Sequence, residues 1–253
     1  MSAEGKVAIV TGGSSGIGQA ACIALANAGF HVVVIGTRRD RINETLNLLD
    51  NSVNNPLALP HLGLTLNVTH EDDMQEMVVK TVERFGRIDV LVASAARGKQ
   101  SGSERLMPHP TASLPLEEWN EVLNVNLTGV FLSNRAVVPV MMQQGVGHIV
   151  NICSSTTIHG LRGQAYAPAY CASKFGMVGF TEALAEEVGA YGIRVQALFP
   201  GPVKTPLVEK TALVRRFGGR YINTATIAQT IVHLVQQPPD AMMIHPHILP
   251  FGG

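Results

Sequence analysis

Two rhythms alternate along the chain. Short apolar runs at residues 6–10, 31–35, 62–66, 88–92, 148–153, 194–199 and 242–249 have the length and β-branched content of strands. Between them, residues 19–28, 42–49, 71–85, 117–144, 170–191 and 225–236 return apolar side chains every three or four positions, the spacing of one helix face. The run at 88–92 is almost unbroken in its hydrophobicity, which predicts a strand covered on both faces of a parallel sheet. Pro139 removes a backbone donor inside 117–144 and predicts a bend there. Polar segments at 51–60 and 97–115 read as loops, and 206–222 as a loop or short helix. Strand and helix alternate about seven times with no break in composition, which predicts an α/β chain forming a single doubly wound domain over 1–253. Its parallel sheet has about seven strands, with helices on both faces.

In such a sheet ligands gather outside the carboxyl ends of the strands. Gly12, Gly36, Asn67, Ala93, Ser154 and Pro200 all fall at predicted strand ends. The first strand runs into Thr11-Gly12-Gly13-Ser14-Ser15-Gly16-Ile17-Gly18 and then a helix. A glycine-rich turn opening a helix aims unpaired backbone N–H groups, and the positive end of the helix dipole, at an anion. Gly12 permits the tight turn, Gly16 the approach of a pyrophosphate and Gly18 close packing of helix on strand, in a spacing one residue wider than the commonest dinucleotide fingerprint. The second strand ends in Gly36-Thr37-Arg38-Arg39, with no acid before Asp40. A carboxylate there would accept the ribose 2′-hydroxyl, whereas arginine attracts a 2′-phosphate, so NADP(H) is favoured and NAD(H) is the alternative. Asn67 stands where the adenine would lie.

Charge and composition narrow the partners. Nineteen acidic and nineteen basic residues balance, which gives no footprint for nucleic acid. No uninterrupted apolar run approaches the length that crosses a bilayer, and the first residues lack the pattern of a signal peptide, so a soluble, cytoplasmic protein is expected. Cys22, Cys153 and Cys171 read as buried reduced thiols, and the scattered histidines His109, His159, His245 and His247 suggest no metal site. Trp119 is expected to pack on the sheet.

The candidate chemistry lies in Tyr170-Cys171-Ala172-Ser173-Lys174. A tyrosine and a lysine four apart share a helix face. A neighbouring ammonium favours the phenolate and lowers a pKa that is ordinarily about 10, preparing the phenol for general acid/base work. Asn124 and Asn126 in a helical stretch hint at a task beyond helix propensity.

The glycine turn, Asn126-Leu127-Thr128-Gly129, Ser154 at a strand end, Tyr170 with Lys174, and Pro200-Gly201-Pro202-Val203-Lys204-Thr205 stand in the order and spacing of the short-chain dehydrogenase/reductase family, which the chain resembles from about Lys6 to Thr205. The resemblance implies a Rossmann-like fold and hydride transfer between nicotinamide and a ketone or secondary alcohol. It makes Tyr170 the acid/base and Ser154 a second donor to the substrate oxygen. Lys174 would bind the nicotinamide ribose, Asn126 would hold a water that relays protons through Lys174, and Thr205 would anchor the carboxamide. Expected cofactor contacts are Gly12, Ser14, Ser15, Gly16, Ile17, Gly18, Thr37, Arg38, Asn67, Val68, Ala95, Tyr170, Lys174, Pro200, Gly201, Val203 and Thr205. Family members commonly pair through the helices that correspond to 117–144 and 170–191, so a homodimer or homotetramer is expected. The chain departs from the family at Ala93-Ser94-Ala95-Ala96, where Asn-Asn-Ala-Gly is usual, and at Asn67, usually aspartate. The loops at 97–115 and 155–169 are also long, which suggests a distinct small-molecule substrate. From another class, a dinucleotide-binding regulatory or scaffold protein with little turnover is the alternative.

Overall fold

The computed structural model describes residues 5–51, 61–98, 109–155, 167–209, 220–238 and 240–251. Seven parallel strands form one sheet: β1 (Val7–Thr11), β2 (His31–Gly36), β3 (Leu62–Thr65), β4 (Val90–Ala93), β5 (Gly147–Ile152), β6 (Ile193–Pro200) and β7 (His247–Ile248). Their order in space is β3-β2-β1-β4-β5-β6-β7, so the direction of winding reverses between β1 and β4. The helices are α1 (Gly16–Asn27), α2 (Arg39–Asp50), α3 (Glu71–Phe85), α4 (Leu116–Leu123), α5 (Gly129–Gln144), α6 (Pro168–Val188), the short α7 (Pro206–Glu209) and α8 (Thr224–Val235).

Both faces of the sheet are dry, which explains the unbroken apolar runs. Ala8, Val10, Val32, Val34, Val90 and Val92 point to a core shared with α1 and α8. Their strand neighbours Val7, Ile9, Val33, Ile35, Leu91 and Ile149 point to the opposite core, under α3, α5 and α6. Local signals agree with this packing. Helix α3 opens with Glu71, Asp72 and Asp73 at the positive end of its dipole and stops at Gly86, which takes φ +74°.

Residues 116–144 are not one regular helix. The irregularity lies at a π turn, Asn124–Thr128, where the Gly129 N–H reaches back to the Asn124 carbonyl, rather than at Pro139, which lies inside the regular α5. By length and composition this stretch could span a membrane, but half of it is buried within the fold. Trp119 is half-buried on α4, a helix that packs on α6 and the π turn, not on the sheet as expected. The three cysteines are buried and form no disulfide with one another.

At the opposite end of the sheet from the strand carboxyl ends, His148 is buried on β5 opposite Arg194 of β6. Burial first, and then the Arg194 charge, hold its imidazole down at about 3. Because the folded pKa lies below the unfolded value of about 6.5, the unfolded chain binds the extra proton between those limits. Stability is therefore lost as pH falls from about 6.5 to about 3, by at most about 5 kcal/mol from this group. Urea unfolding of wild type and His148→Gln across that window checks it: the substituted protein should lose less stability on acidification.

Candidate active site

The parallel register levels the strand ends: Thr11 pairs with Ala93, Ala93 with Asn151, and Ile152 with Leu198. The segments that leave them line one cleft. Gly12, Ser15, Gly16 and Ile17 come from the turn after β1, Ala95 follows β4 and Ser154 follows β5. Tyr170 and Lys174 come from α6, and Pro200, Gly201, Val203 and Thr205 follow β6.

The glycine turn fits the pyrophosphate of a dinucleotide. Gly12 takes φ +66°, and a Cβ there would stand 2.8 Å from the Ala95 backbone. Helix α1 begins with Gly16 rather than Gln19, with no side-chain cap from Ser15 and no acid in its first turn. Its leading N–H groups and its dipole are thus left for an anion in the cleft. A Cβ on Gly16 would lie 3.4 Å from Thr205 Cγ2, and one on Gly18 only 2.2 Å from the Gly12 carbonyl oxygen. The first glycine thus keeps the cleft narrow between β1 and β6, and the second lets helix and turn touch.

The usual amides after β4 are absent, yet the turn is held. Thr11 Oγ1 accepts from the N–H of Ser94 at 3.2 Å and of Ala95 at 3.4 Å. Deeper, Asn134 and Asn151 exchange amide hydrogen bonds of 3.0 and 3.2 Å, and Asn151 also donates to Thr181 Oγ1 at 3.0 Å. This buried network ties α5, β5 and α6 together three residues before Ser154.

Tyr170, Ser154 and Lys174 meet on the cleft wall. The Ser154 hydroxyl is hydrogen-bonded to the Tyr170 phenol. Burial pushes that phenol up to about 12, and the bond from Ser154 opposes the shift. Lys174 is fully buried; its Nζ donates to the Ile152 carbonyl at 2.7 Å and lies 5.7 Å from the centre of the Tyr170 ring. Burial lowers the ammonium to about 8. The expectation of a phenol made more acidic by its lysine is therefore corrected: the ammonium turns to a strand carbonyl and the ring face, and desolvation dominates.

Other expected residues lie off the cleft. Asn126 is fully buried in the π turn, while Asn124 is exposed. The Asn126 Oδ1 accepts from the Arg97 N–H at 2.7 Å, and its Nδ2 donates to the Arg97 carbonyl at 2.8 Å and to Ser173 Oγ at 3.1 Å. Its amide is thus committed to protein partners rather than aimed at Lys174. Thr37 and Arg38 are exposed at the end of β2, and the Arg38 guanidinium is held by the Asp40 carboxylate. Ser14 packs against Gly36, where a Cβ would meet its Oγ at 2.7 Å. Asn67 closes its own turn, its Oδ1 accepting from Thr69 N–H at 3.1 Å and Oγ1 at 3.0 Å, so its side chain is engaged locally rather than presented to a base. Val68 is buried beside Gly129.

The cleft also contains Ser94, Ala96, Ile152 and Cys153, which the sequence reading did not select, and Pro206, Leu207 and Val208 from the 206–222 segment expected to line the substrate pocket. Adjacency to strand ends could have found the first four. Leu207 and Val208 sit on a four-residue helix, too short to leave a periodic signal. Of the expected loops, 99–108, 156–166 with Tyr166 and His159, and 210–219 lie outside the described residues.

Residues 6–215 match the family described as short chain dehydrogenase. The 3-oxoacyl-acyl-carrier-protein reductase of Thermotoga maritima is 37% identical over 243 residues, covering 92% of each chain. Among solved structures, a 3-ketoacyl-acyl-carrier-protein reductase of Brucella melitensis with NADH superposes with a TM-score of 0.84 at 26% identity, over 98% of each chain. An actinorhodin polyketide ketoreductase with NADPH superposes with a TM-score of 0.82 at 31% identity, over 97% of this chain and 96% of its own. With that similarity along nearly its whole length and a glycine-turn cleft at its strand ends, the chain belongs to the short-chain dehydrogenase/reductase family of oxidoreductases.

Proposed function

We propose that this protein is an NADP(H)-dependent reductase or dehydrogenase acting on a ketone or secondary alcohol. The observation that carries the reading is the meeting of Ser154, Tyr170 and Lys174 on the wall of a cleft whose other wall is an uncapped glycine turn. A bound nicotinamide dinucleotide supplies the hydride. Tyr170, protonated at neutral pH, donates its proton to the substrate oxygen as negative charge grows there, and takes it back in oxidation. Ser154 turns its one hydroxyl proton from the phenol to the same substrate oxygen, which then accepts a second hydrogen bond. Lys174 brings its charge beside the nicotinamide ribose, and Thr205, facing Gly16, fixes the carboxamide. Asn126 fixes the backbone at Arg97, on the rim of the substrate end. Pro206, Leu207 and Val208 stand at that end, the last two giving it an apolar side. Copies of the chain pair through the outer faces of α5 and α6, where Phe131 stands edge-on to Phe180 and is 39% exposed.

Purified protein with NADPH and a panel of carbonyl compounds should consume nicotinamide absorbance. The preference for NADPH rests on Arg38, which must exchange Asp40 for the 2′-phosphate. Titration by nicotinamide fluorescence should give a Kd for NADPH about tenfold below that for NADH, and Arg38→Asp should reverse the order. Equal affinities in wild type would remove the preference from the reading.

A further inference from the structure

We propose that Ser173, inside the Tyr170 to Lys174 motif, is a positioning residue: its hydroxyl ties the first turn of α6 to Asn126 and so holds the Tyr170 phenol against Ser154. The proposal rests on the reading of Tyr170 as the acid/base.

Tyr170 is the third residue of α6, and the turn that carries it has a weak hold of its own. Ala167, at the N-cap position, makes no side-chain hydrogen bond to the helix. An uncapped first turn leaves backbone donors unsatisfied and frays more readily than the helix interior. Lateral ties must therefore keep the phenol in place. Lys174 provides one through its bond to the Ile152 carbonyl.

Ser173 provides another. It is fully buried, and its Oγ donates to the Tyr170 carbonyl at 2.7 Å while accepting from Asn126 Nδ2 at 3.1 Å. A helical serine often bonds back to a carbonyl of the preceding turn, which by itself has no bearing on catalysis. The second bond is different, because its donor is fixed from elsewhere. The Asn126 amide is held at both ends by the Arg97 backbone, at 2.7 and 2.8 Å, and the π turn keeps its side chain in the interior. Arg97, Asn126, Ser173 and Tyr170 thus form one chain of hydrogen bonds from the segment after β4 to the start of α6. Ala93, Ala95 and Ala96 contribute no side-chain amide to this region.

Removal of the hydroxyl leaves Asn126 bonded to Arg97 and leaves the glycine turn untouched. What loosens is the distance between the phenol, carried on α6, and Ser154, two residues past the end of β5. A displacement of well under an ångström there degrades proton transfer without changing how the dinucleotide is held.

The test uses the full chain, NADPH and the carbonyl compound turned over fastest. Ser173→Ala is expected to lower kcat about 5- to 30-fold, with KM and the NADPH Kd each within about twofold of wild type. In the alcohol-oxidation direction, the rise of kcat with pH should move to higher pH, because the phenol loses part of the Ser154 hydrogen bond that favours its ionised form. A change in stability alone would not move that profile. Ser173→Cys, close in volume and a weaker hydrogen-bond partner, should behave the same way and replaces alanine if that variant fails to fold. Wild-type kcat and an unmoved pH profile in a folded variant overturn the proposal. Tyr170→Phe in the same assay separates the two ideas: if it turns over normally the acid/base reading fails, and if it is inactive while Ser173→Ala is normal only the positioning role fails.

Discussion

Tyr170→Phe is expected to lower kcat for carbonyl reduction by about two to four orders of magnitude while leaving the Kd for NADPH within about threefold. The substitution removes one oxygen from the cleft wall and keeps the ring that packs beneath the Lys174 ammonium. Ser154 would lose its partner but could still donate to the substrate oxygen, so residual turnover from hydride proximity and one hydrogen bond is expected. The pH dependence of the wild-type protein carries the same signature. Reduction needs a protonated phenol and a charged lysine, and both are lost as pH rises. The lysine titrates first, at about 8, because burial penalises its charge, and the phenol follows at about 12. The rate of reduction should therefore be level through neutrality and fall above about pH 8. Stopped-flow single turnovers of NADPH oxidation measure the chemical step directly. A phenylalanine variant whose hydride-transfer rate matches wild type would rule out the phenol as proton donor.

Gly18→Ala is expected to weaken dinucleotide binding at least tenfold and to destabilise the fold by about 1–3 kcal/mol, the usual cost of forcing a group into a packed interior. The added carbon would sit 2.2 Å from the Gly12 carbonyl oxygen, 2.7 Å from the Gly12 carbonyl carbon and 3.1 Å from the Gly13 nitrogen. All three are backbone atoms of the turn, so no side chain can swing away. The start of α1 and the turn after β1 must part by more than an ångström, which moves the helix N–H groups off the anion they face. Gly179→Ala is the control. Gly179 is exposed inside α6, a Cβ there meets nothing within 4 Å, and alanine should stabilise by up to about 1 kcal/mol. Thermal unfolding and nicotinamide fluorescence on the two variants compare them directly. Unchanged NADPH affinity in Gly18→Ala would mean that close contact of helix and turn is not what shapes the anion site.

The order of elements was legible because two physical periods mark them. Parallel strands buried on both faces become short apolar runs, and helices covering them become three-and-four patterns. Helix 71–85 could be delimited to the residue, since acids cluster at its start and a left-handed glycine follows its end. The break in 116–144 was misplaced at Pro139. A proline announces itself in sequence, whereas a π turn is set by where the Asn126 amide finds partners, and those lie at Arg97 and Ser173.

The sequence by itself determined the alternation of strand and helix, and with it the side of the sheet on which Gly12, Ser154 and Pro200 would gather. It determined these things because they depend on local patterning and on the handed geometry of parallel crossovers. Only the tertiary structure decided the electrostatics. Whether a lysine acidifies a tyrosine depends on where its ammonium points and how dry the site is. Here a β5 carbonyl takes the proton donor, and burial moves the phenol up and the ammonium down. It likewise decided that Arg38 faces Asp40, that Asn67 closes its own turn and that Asn126 clamps a backbone. A residue's partners are set by distances across the fold, which spacing along the chain does not encode.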